Sequence, residues 1–417
     1  MAHALSSLID RLATPVSRRT GITATLLAIA AGLAGTAETD AKKKKKKKKK
    51  KEPVALGERC AQVSDCANSQ AWQCAPYANN KFSSSPTAKF CLLHNGDPCD
   101  QNSACPYGNC LNGQCASAST VGNTNAQFMT LAAAVASTFA GGEICILPGV
   151  YEDVSATIDK TLTITRCGSS GSVELKSPSN GRVLTLQLAN AGDLVTIRGG
   201  TADTFTFTGT VANDGDRVDD GGIVHLSQSG SGGAAAGSLL LEKVTIKNGR
   251  ARFTGGGLYA NTTGAVTMTD VLVTTCYSQK GGGIAMVSGD LTLNGETWVK
   301  SCIGYQQGAG ILLQGATTLS MEDMARIGGD VDNAGINCLQ RGGNWAPNPG
   351  VGGGVYASSG VTLSMSDDAV IVCNLATSSG GIHVEDGATL QGNASCESGK
   401  VTGNTADNIQ GAVTPTC

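Results

Sequence analysis

The sequence predicts an all-β chain whose C-terminal two-thirds form a parallel β-helix solenoid, and three observations carry that prediction. Glycine makes up 56 of 417 residues, nearly twice the usual ~7%, while aromatics are only 4%. Short runs of Val, Leu, Ile and Thr bounded by Gly, Asn, Asp and Ser fill the chain, with little helical periodicity. Glycine clusters then return at Gly221-Gly222, Gly255 to Gly257, Gly281 to Gly283, Gly308-Ala309-Gly310, Gly352 to Gly354 and Gly380-Gly381, in steps of 26 or 27 residues where nothing intervenes. Each leads into an aliphatic residue: Ile223, Leu258, Ile284, Ile311, Val355 or Ile382. A fixed period of this size marks a stacked solenoid. One period holds three short β runs, no helix and a glycine corner, which is one turn of a parallel β-helix with equivalent residues stacked at ~4.8 Å. The glycines supply positive φ at the corner. The aliphatic residues point inward because a single coil cannot bury its own face.

Residues 1–37 read as a twin-arginine-like export signal: Arg18 and Arg19 precede an apolar run from Ile22 to Ala34, too short for a bilayer that needs ~20 residues. Cleavage is expected after Ala37, leaving no transmembrane span. Residues 38–56 form a disordered linker around ten consecutive lysines, Lys42 to Lys51, which repel one another. Residues 52–417 then hold 18 Lys+Arg against 30 Asp+Glu, an acidic body behind a cationic tract. The tract suits anionic surfaces, wall polymer or lipid head groups, at roughly 1 kcal/mol per lysine, or serves as a solvated spacer. The remaining basic residues suggest no folded patch interleaved with aromatics, so nucleic acid is not an expected partner.

Residues 57–116 hold eight of the sixteen cysteines, from Cys60 to Cys115, with no C-x-x-C pair, which argues against a zinc ribbon. Two half-repeats, "GERCAQVSDC" and "GDPCDQNSAC", fit a disulfide-stapled mini-domain. Its pairing stays open among about 105 possibilities.

The solenoid, 117–417, starts with the polar linker "ASASTVGNTNA" and an amphipathic helix in "QFMTLAAAVASTFA". "V-x-x-C" recurs at Val273/Cys276, Val299/Cys302 and Val370/Cys373. Cys276 and Cys302 should stack one coil apart at ~4.8 Å, beyond the ~3.5 to 4.5 Å between Cβ atoms that a disulfide prefers, so a buried ladder of reduced thiols is expected. Cys145/Cys167 and Cys396/Cys417 lie at opposite ends, where disulfides are expected.

Two coils are oversized, by Thr201 to Asp220 and by Asp330 to Val351. Both insertions should emerge along one edge about four coils, or ~19 Å, apart, and insertions on one face of a repeat protein form its usual binding surface. The first offers Asp214, Asp216, Asp219 and Asp220 as Ca²⁺ candidates, with Arg217 among them and His225 after them. The second offers Asp330, Asp332, Arg341 and Trp345 for a sugar, unless Trp345 packs onto its own coil. His383, Glu385 and Asp386 read as a solvated strand end.

Residues ~125–417, with the helix followed by "ICILPGVYE" and "KTLTI", resemble the right-handed parallel β-helix superfamily typified by pectin lyases. The cysteine-rich segment is similar to modules of the Dickkopf N-terminal type. The first resemblance implies that the helix caps the open sheet edge. It also implies enzymes of acidic polysaccharides: lyases with Ca²⁺-binding aspartates and a basic residue, esterases with two aspartates and an arginine, galacturonases with Gly-His-Gly and Arg-x-Lys. The chain has neither of the last two motifs, and Asp219, Asp220 and Arg217 are the catalytic candidates that remain. The expected protein is an exported, cell-surface or secreted, non-catalytic adhesion or glycan- or envelope-binding protein. The alternative is a Ca²⁺-dependent polysaccharide lyase or a hydrolase.

Overall fold

The fold is seen in a computed structural model, which describes five short strands between 59 and 115 and then residues 119–122, 126–168, 170–200, 205–210, 218–227, 234–330, 342–392 and 400–411. The chain divides into two units, Met1–Lys51 and Glu52–Cys417, and every described residue belongs to the second. The export signal, the lysine tract, Asp214, Asp216, Arg217, Asp332, Arg341, Cys396 and Cys417 lie outside the described residues.

In the cysteine-rich segment, strands Arg59–Cys60 and Trp72–Pro76 both pair antiparallel with Lys89–Leu93, and Cys110–Leu111 pairs with Gln114–Cys115. From Ser119 onward the ladders are parallel and gather into sheets of seventeen, nine and six strands. The chain runs from the long sheet to the nine-stranded sheet, then to the six-stranded sheet, then through the glycine corner into the long sheet again. This is the parallel β-helix that the glycine period predicts. The long sheet holds two strand columns per coil, fused into single strands at Leu258–Thr269 and Ile284–Asn294 and broken by a turn elsewhere, as between Ile311–Leu313 and Thr317–Met321. The expected three β runs per coil are therefore four wherever the turn intervenes.

Like residues stack. Leu258, Ile284, Ile311, Val355, Ile382 and Ile409 occupy one column, and Val273, Val299, Ile327, Ile371 and Val401 another. Except for the half-buried Ile409, these belong to one continuous buried core, each side chain contributing roughly 1.5–3 kcal/mol. The glycine corner is enforced sterically: at Gly281 (φ 62°) and Gly308 (φ 57°), a Cβ would sit 2.5 Å and 2.3 Å from the carbonyl oxygens of Ile284 and Ile311.

Four sequence expectations are corrected. Part of the polar linker is a strand, Ser119–Val121, which adds in parallel to Gly142–Ile146. With the helix Leu131–Ser137 it covers the first coil, burying Val121, Leu131, Ala134 and Val135. Phe205–Thr208 is a core strand, not insertion, because Phe-Thr-Phe-Thr alternates and buries both phenylalanines. Trp345–Val351 is likewise a strand rather than loop. Finally, the third "V-x-x-C" is out of register: Ile371, not Val370, stacks with the column of Val299 and Ile327. Cys373 (φ 56°) therefore has the left-handed corner conformation of Asn248, Thr275 and Ser301 and is disulfide-bonded.

One column holds the buried Cys276, Cys302, Asn344 and Asn374 and the half-buried Asn404, each preceding the register-matched Tyr277, Ile303, Trp345, Leu375 and Thr405. Cys276 and Cys302 are free thiols with no exposed surface, as expected. Burial drives the Cys302 thiol well above its ordinary pKa. Cys145 and Cys167 form the expected disulfide.

Candidate functional site

The six-stranded sheet inverts the usual pattern of large residues inside and small ones outside. Ala251, Ser278 and Ala346 point inward and are fully buried, and Gly304 is buried with them. The interior is narrow there because the next element is the glycine corner. The large residues therefore turn outward. Tyr277, Ile303, Trp345 and Leu375 form one outer column, extended by Arg250, which bridges to Tyr277.

In a chain so poor in aromatics, the distribution of the exposed ones is informative. Among the described residues, the large exposed apolar side chains include three aromatics, Phe253 (40%), Tyr305 (45%) and Trp345 (38%), and all three lie on this sheet. The Arg250 guanidinium lies 5.0 Å from the Tyr277 ring centroid and that of Arg252 lies 4.9 Å from Phe253, within cation–π range. This overturns the expectation that no folded basic patch carries aromatics. Arg250, Arg252 and Phe253 are near neighbours in sequence, whereas Tyr277, Tyr305 and Trp345 join them only through coil stacking.

The strands that follow the two insertions both belong to this sheet. One insertion lies between Thr210 and Val218, the other between Asp330 and Gly342. They return into the strands Val218–Asp220 and Trp345–Val351, four ladder steps apart, or ~19 Å. The three strands between them carry Phe253, Tyr277 and Tyr305.

Among the sequence candidates, Trp345 begins its strand and faces outward. Asp330 pairs with Arg326 at 3.8 Å, on the nine-stranded side. Asp219 is exposed. Asp220 Oδ1 accepts hydrogen bonds from the Thr254 backbone N–H at 3.1 Å and from the Thr254 hydroxyl, so that oxygen ties adjacent coils together. Among the described residues, no group of three or more His, Cys, Asp or Glu converges to hold a metal ion.

Sequence reasoning missed Arg182. Its Nε is buried without a hydrogen-bond partner. Burial lowers the pKa of its guanidinium while Asp220 and Asp219 counteract this. Nearby, His225 stacks on Tyr259 with ring centroids 5.0 Å apart, and its Nδ1 lies 3.2 Å from Ser227 Oγ. Burial, aided by the Arg182 charge, holds the His225 pKa down at about 4, so the ring is neutral near pH 7. Arg182 stands more than 30 residues before the aspartates, and nothing in its local sequence marks it.

His383 is not on a solvated end. It stacks on Tyr356 at 5.0 Å, while the Tyr356 hydroxyl donates to Glu385. No helix among the described residues is long and apolar enough to cross a membrane. No family model, curated protein or solved structure matches the chain.

Proposed function

We propose that this is an exported β-helix protein of the cell surface or secreted space that binds an extended glycan or envelope polymer on its six-stranded face. One observation carries the reading: the exposed aromatics of the solenoid, with two arginines, are concentrated on that face between the two insertions. Aromatic rings offer flat apolar platforms for sugar rings. Arg250 and Arg252 add charge that favours a polymer bearing carboxylates or sulfates, on a body that is otherwise acidic. The lysine tract would add non-specific attraction to the same anionic surfaces.

Affinity electrophoresis of the full chain through gels containing polygalacturonate, alginate or neutral galactan tests this. Retardation by the anionic polymers is expected. A Trp345→Ala/Tyr305→Ala variant should bind at least about tenfold more weakly, 1.4 kcal/mol. No retardation by any polymer, or a preference for single-stranded DNA over all of them, would reject the reading.

A second reading, a lyase or hydrolase of acidic polysaccharides, draws support from the unpartnered Arg182 Nε beside Asp219, Asp220 and a neutral His225. Here Arg182 stands where the sequence had suggested Arg217. New double bonds or reducing ends released from the same polymers, and abolished in Asp219→Ala and Arg182→Met, would establish it.

A further inference from the structure

At the far end of the solenoid the glycine corner changes composition. Gly221, Gly255, Gly281, Gly308 and Gly352 hold φ between 57° and 67°; in the last two coils the corner residues are Ser379 (φ 58°) and Ala406 (φ 77°). A left-handed conformation costs a residue bearing a Cβ roughly 1–2 kcal/mol, and such outliers are starting points for functional hypotheses. Ala406, the last such corner residue among the described residues, is exposed, whereas Ser379 is fully buried.

Ser379 has the neighbours a nucleophile needs. Its Oγ lies 3.0 Å from His383 Nδ1, within the reach of a general base. The imidazole is oriented by its stack on Tyr356, 15° from parallel, and burial lowers its pKa against the opposing pull of Glu385, which favours the neutral form. The following residues are Gly380 and Gly381. In the preceding coils the matching N–H groups, such as those of Gly282 and Gly353, donate to the corner carbonyl of the next coil. The Gly380 N–H has no such acceptor among the described residues; it is buried against the Thr405 backbone, a donor left over for an oxyanion once the last coil gives way with Gln410. The hydroxyl is covered by the exposed side chain of Gln410, whose Oε1 accepts from Ser379 at 2.6 Å and also from Ser378.

We propose that Ser379 is an acylatable nucleophile served by His383, that its substrate class is a carboxylic ester such as an acyl group on a glycan, and that Gln410 covers it at rest. When Gln410 swings away, the Ser379 hydroxyl proton turns from Gln410 Oε1 to the unprotonated Nδ1 of the Nε2–H tautomer of His383, and Ser379 Oγ attacks the carbonyl carbon as that proton passes to Nδ1. The resulting oxyanion is held by the Gly380 N–H. The C–O bond to the alcohol breaks and the alcohol departs with the proton from His383. Water, deprotonated by the same imidazole, then releases the acid and restores the serine. This site and the aromatic face involve different residues, and either can fail alone.

The test is labelling of the full chain with a fluorophosphonate, located by peptide mass spectrometry, alongside release of p-nitrophenol from p-nitrophenyl acetate. Label on Ser379 is expected, accelerated at least about fivefold by Gln410→Ala. Ser379→Gly should abolish both signals while keeping or raising the melting temperature, because glycine suits the corner. His383→Gln should slow labelling at least about tenfold. Failure of both wild type and Gln410→Ala to label, or equal labelling of folded Ser379→Gly, overturns the proposal.

Discussion

Replacing Asn374 with alanine should cost far more than replacing Cys302, although both occupy the same buried column. The Asn374 amide donates from Nδ2 to Ile327 O at 3.1 Å, Val372 O at 3.2 Å and Asn404 Oδ1 at 3.1 Å. Its Oδ1 accepts from the Asn344 N–H at 3.3 Å and from Asn344 Nδ2 at 2.9 Å. Alanine removes all of these. Asn344 Nδ2 keeps Val299 O as a partner, and Val372 O keeps the Gly329 N–H, but the Asn344 N–H is orphaned in the interior. An orphaned buried donor costs ~1–3 kcal/mol and each lost bond ~0.5–1.5, so Asn374→Ala should lose about 3 kcal/mol or more. The Cys302 thiol donates to Lys300 O at 3.2 Å and touches the Cys276 thiol, both weak sulfur contacts, and Cys302→Ala should lose about 1 kcal/mol from these and the small void. Urea unfolding of the full chain, followed by far-ultraviolet circular dichroism, measures both. Equal losses, or an Asn374→Ala loss below about 0.5 kcal/mol, would refute the idea that the amide column locks this corner.

Gly281→Ala combines the left-handed penalty of ~1–2 kcal/mol with a Cβ 2.5 Å from the Ile284 carbonyl, and should lower the unfolding midpoint more than the exposed-loop change Gly192→Ala. Replacing Cys145 and Cys167 by serine removes a cross-link spanning 22 residues, expected to cost about 3 kcal/mol by loop entropy. Cys276 and Cys302 should resist Ellman's reagent in the native chain and react only on unfolding, since neither has exposed surface. His225, with its folded pKa lowered from 6.5 to about 4, binds its proton more readily in the unfolded chain. Its contribution to stability is therefore intact above about pH 6.5 and declines as pH falls towards 4. A His225→Gln variant should show a shallower loss of stability across that window, measured by thermal melts.

The sequence revealed the parts of the fold that depend on backbone demands. A corner requiring positive φ in every coil leaves Gly-Gly-aliphatic in every coil, so the column from Leu258 to Ile382 was legible, insertions included. What was not legible depended on which residues stack after register is fixed. Asn344 and Asn374 continue the cysteine column with a different residue type, and the one-residue slip at Val370/Cys373 concealed the continuity. The aromatic face was hidden for a related reason. Its inner residues, Ala251, Ser278, Gly304 and Ala346, are small, so the strands show no apolar alternation to read, and their outer aromatics look like ordinary loop residues. Arg182 joins Asp219 and Asp220 only through coil stacking.

The first amide of the column, Asn344, also fixes the register of the strand that follows the second insertion. An insertion adds little loop-closure free energy, about 0.6 kcal/mol per doubling of length, but its return strand must still find its register. At Cys276 and Cys302, in coils without an excursion at this corner, a thiol bonded to its own strand occupies the column, and at Asn374 an amide does so with no excursion before it. Following the second insertion in sequence, the column residue is Asn344, whose Oδ1 accepts the Cys302 N–H at 2.9 Å and whose Nδ2 reaches back to Val299 O at 2.9 Å. Those two bonds grip the preceding coil immediately before Trp345 starts its strand. The strand therefore starts in register, with Trp345 directed outward beside Ile303. On the proposed function, Asn344→Ala should reduce retardation by the anionic polymers by loosening the strand that presents Trp345. Conversely, a variant that keeps full binding while the Trp345 strand gains fast amide exchange would separate the anchor from the face.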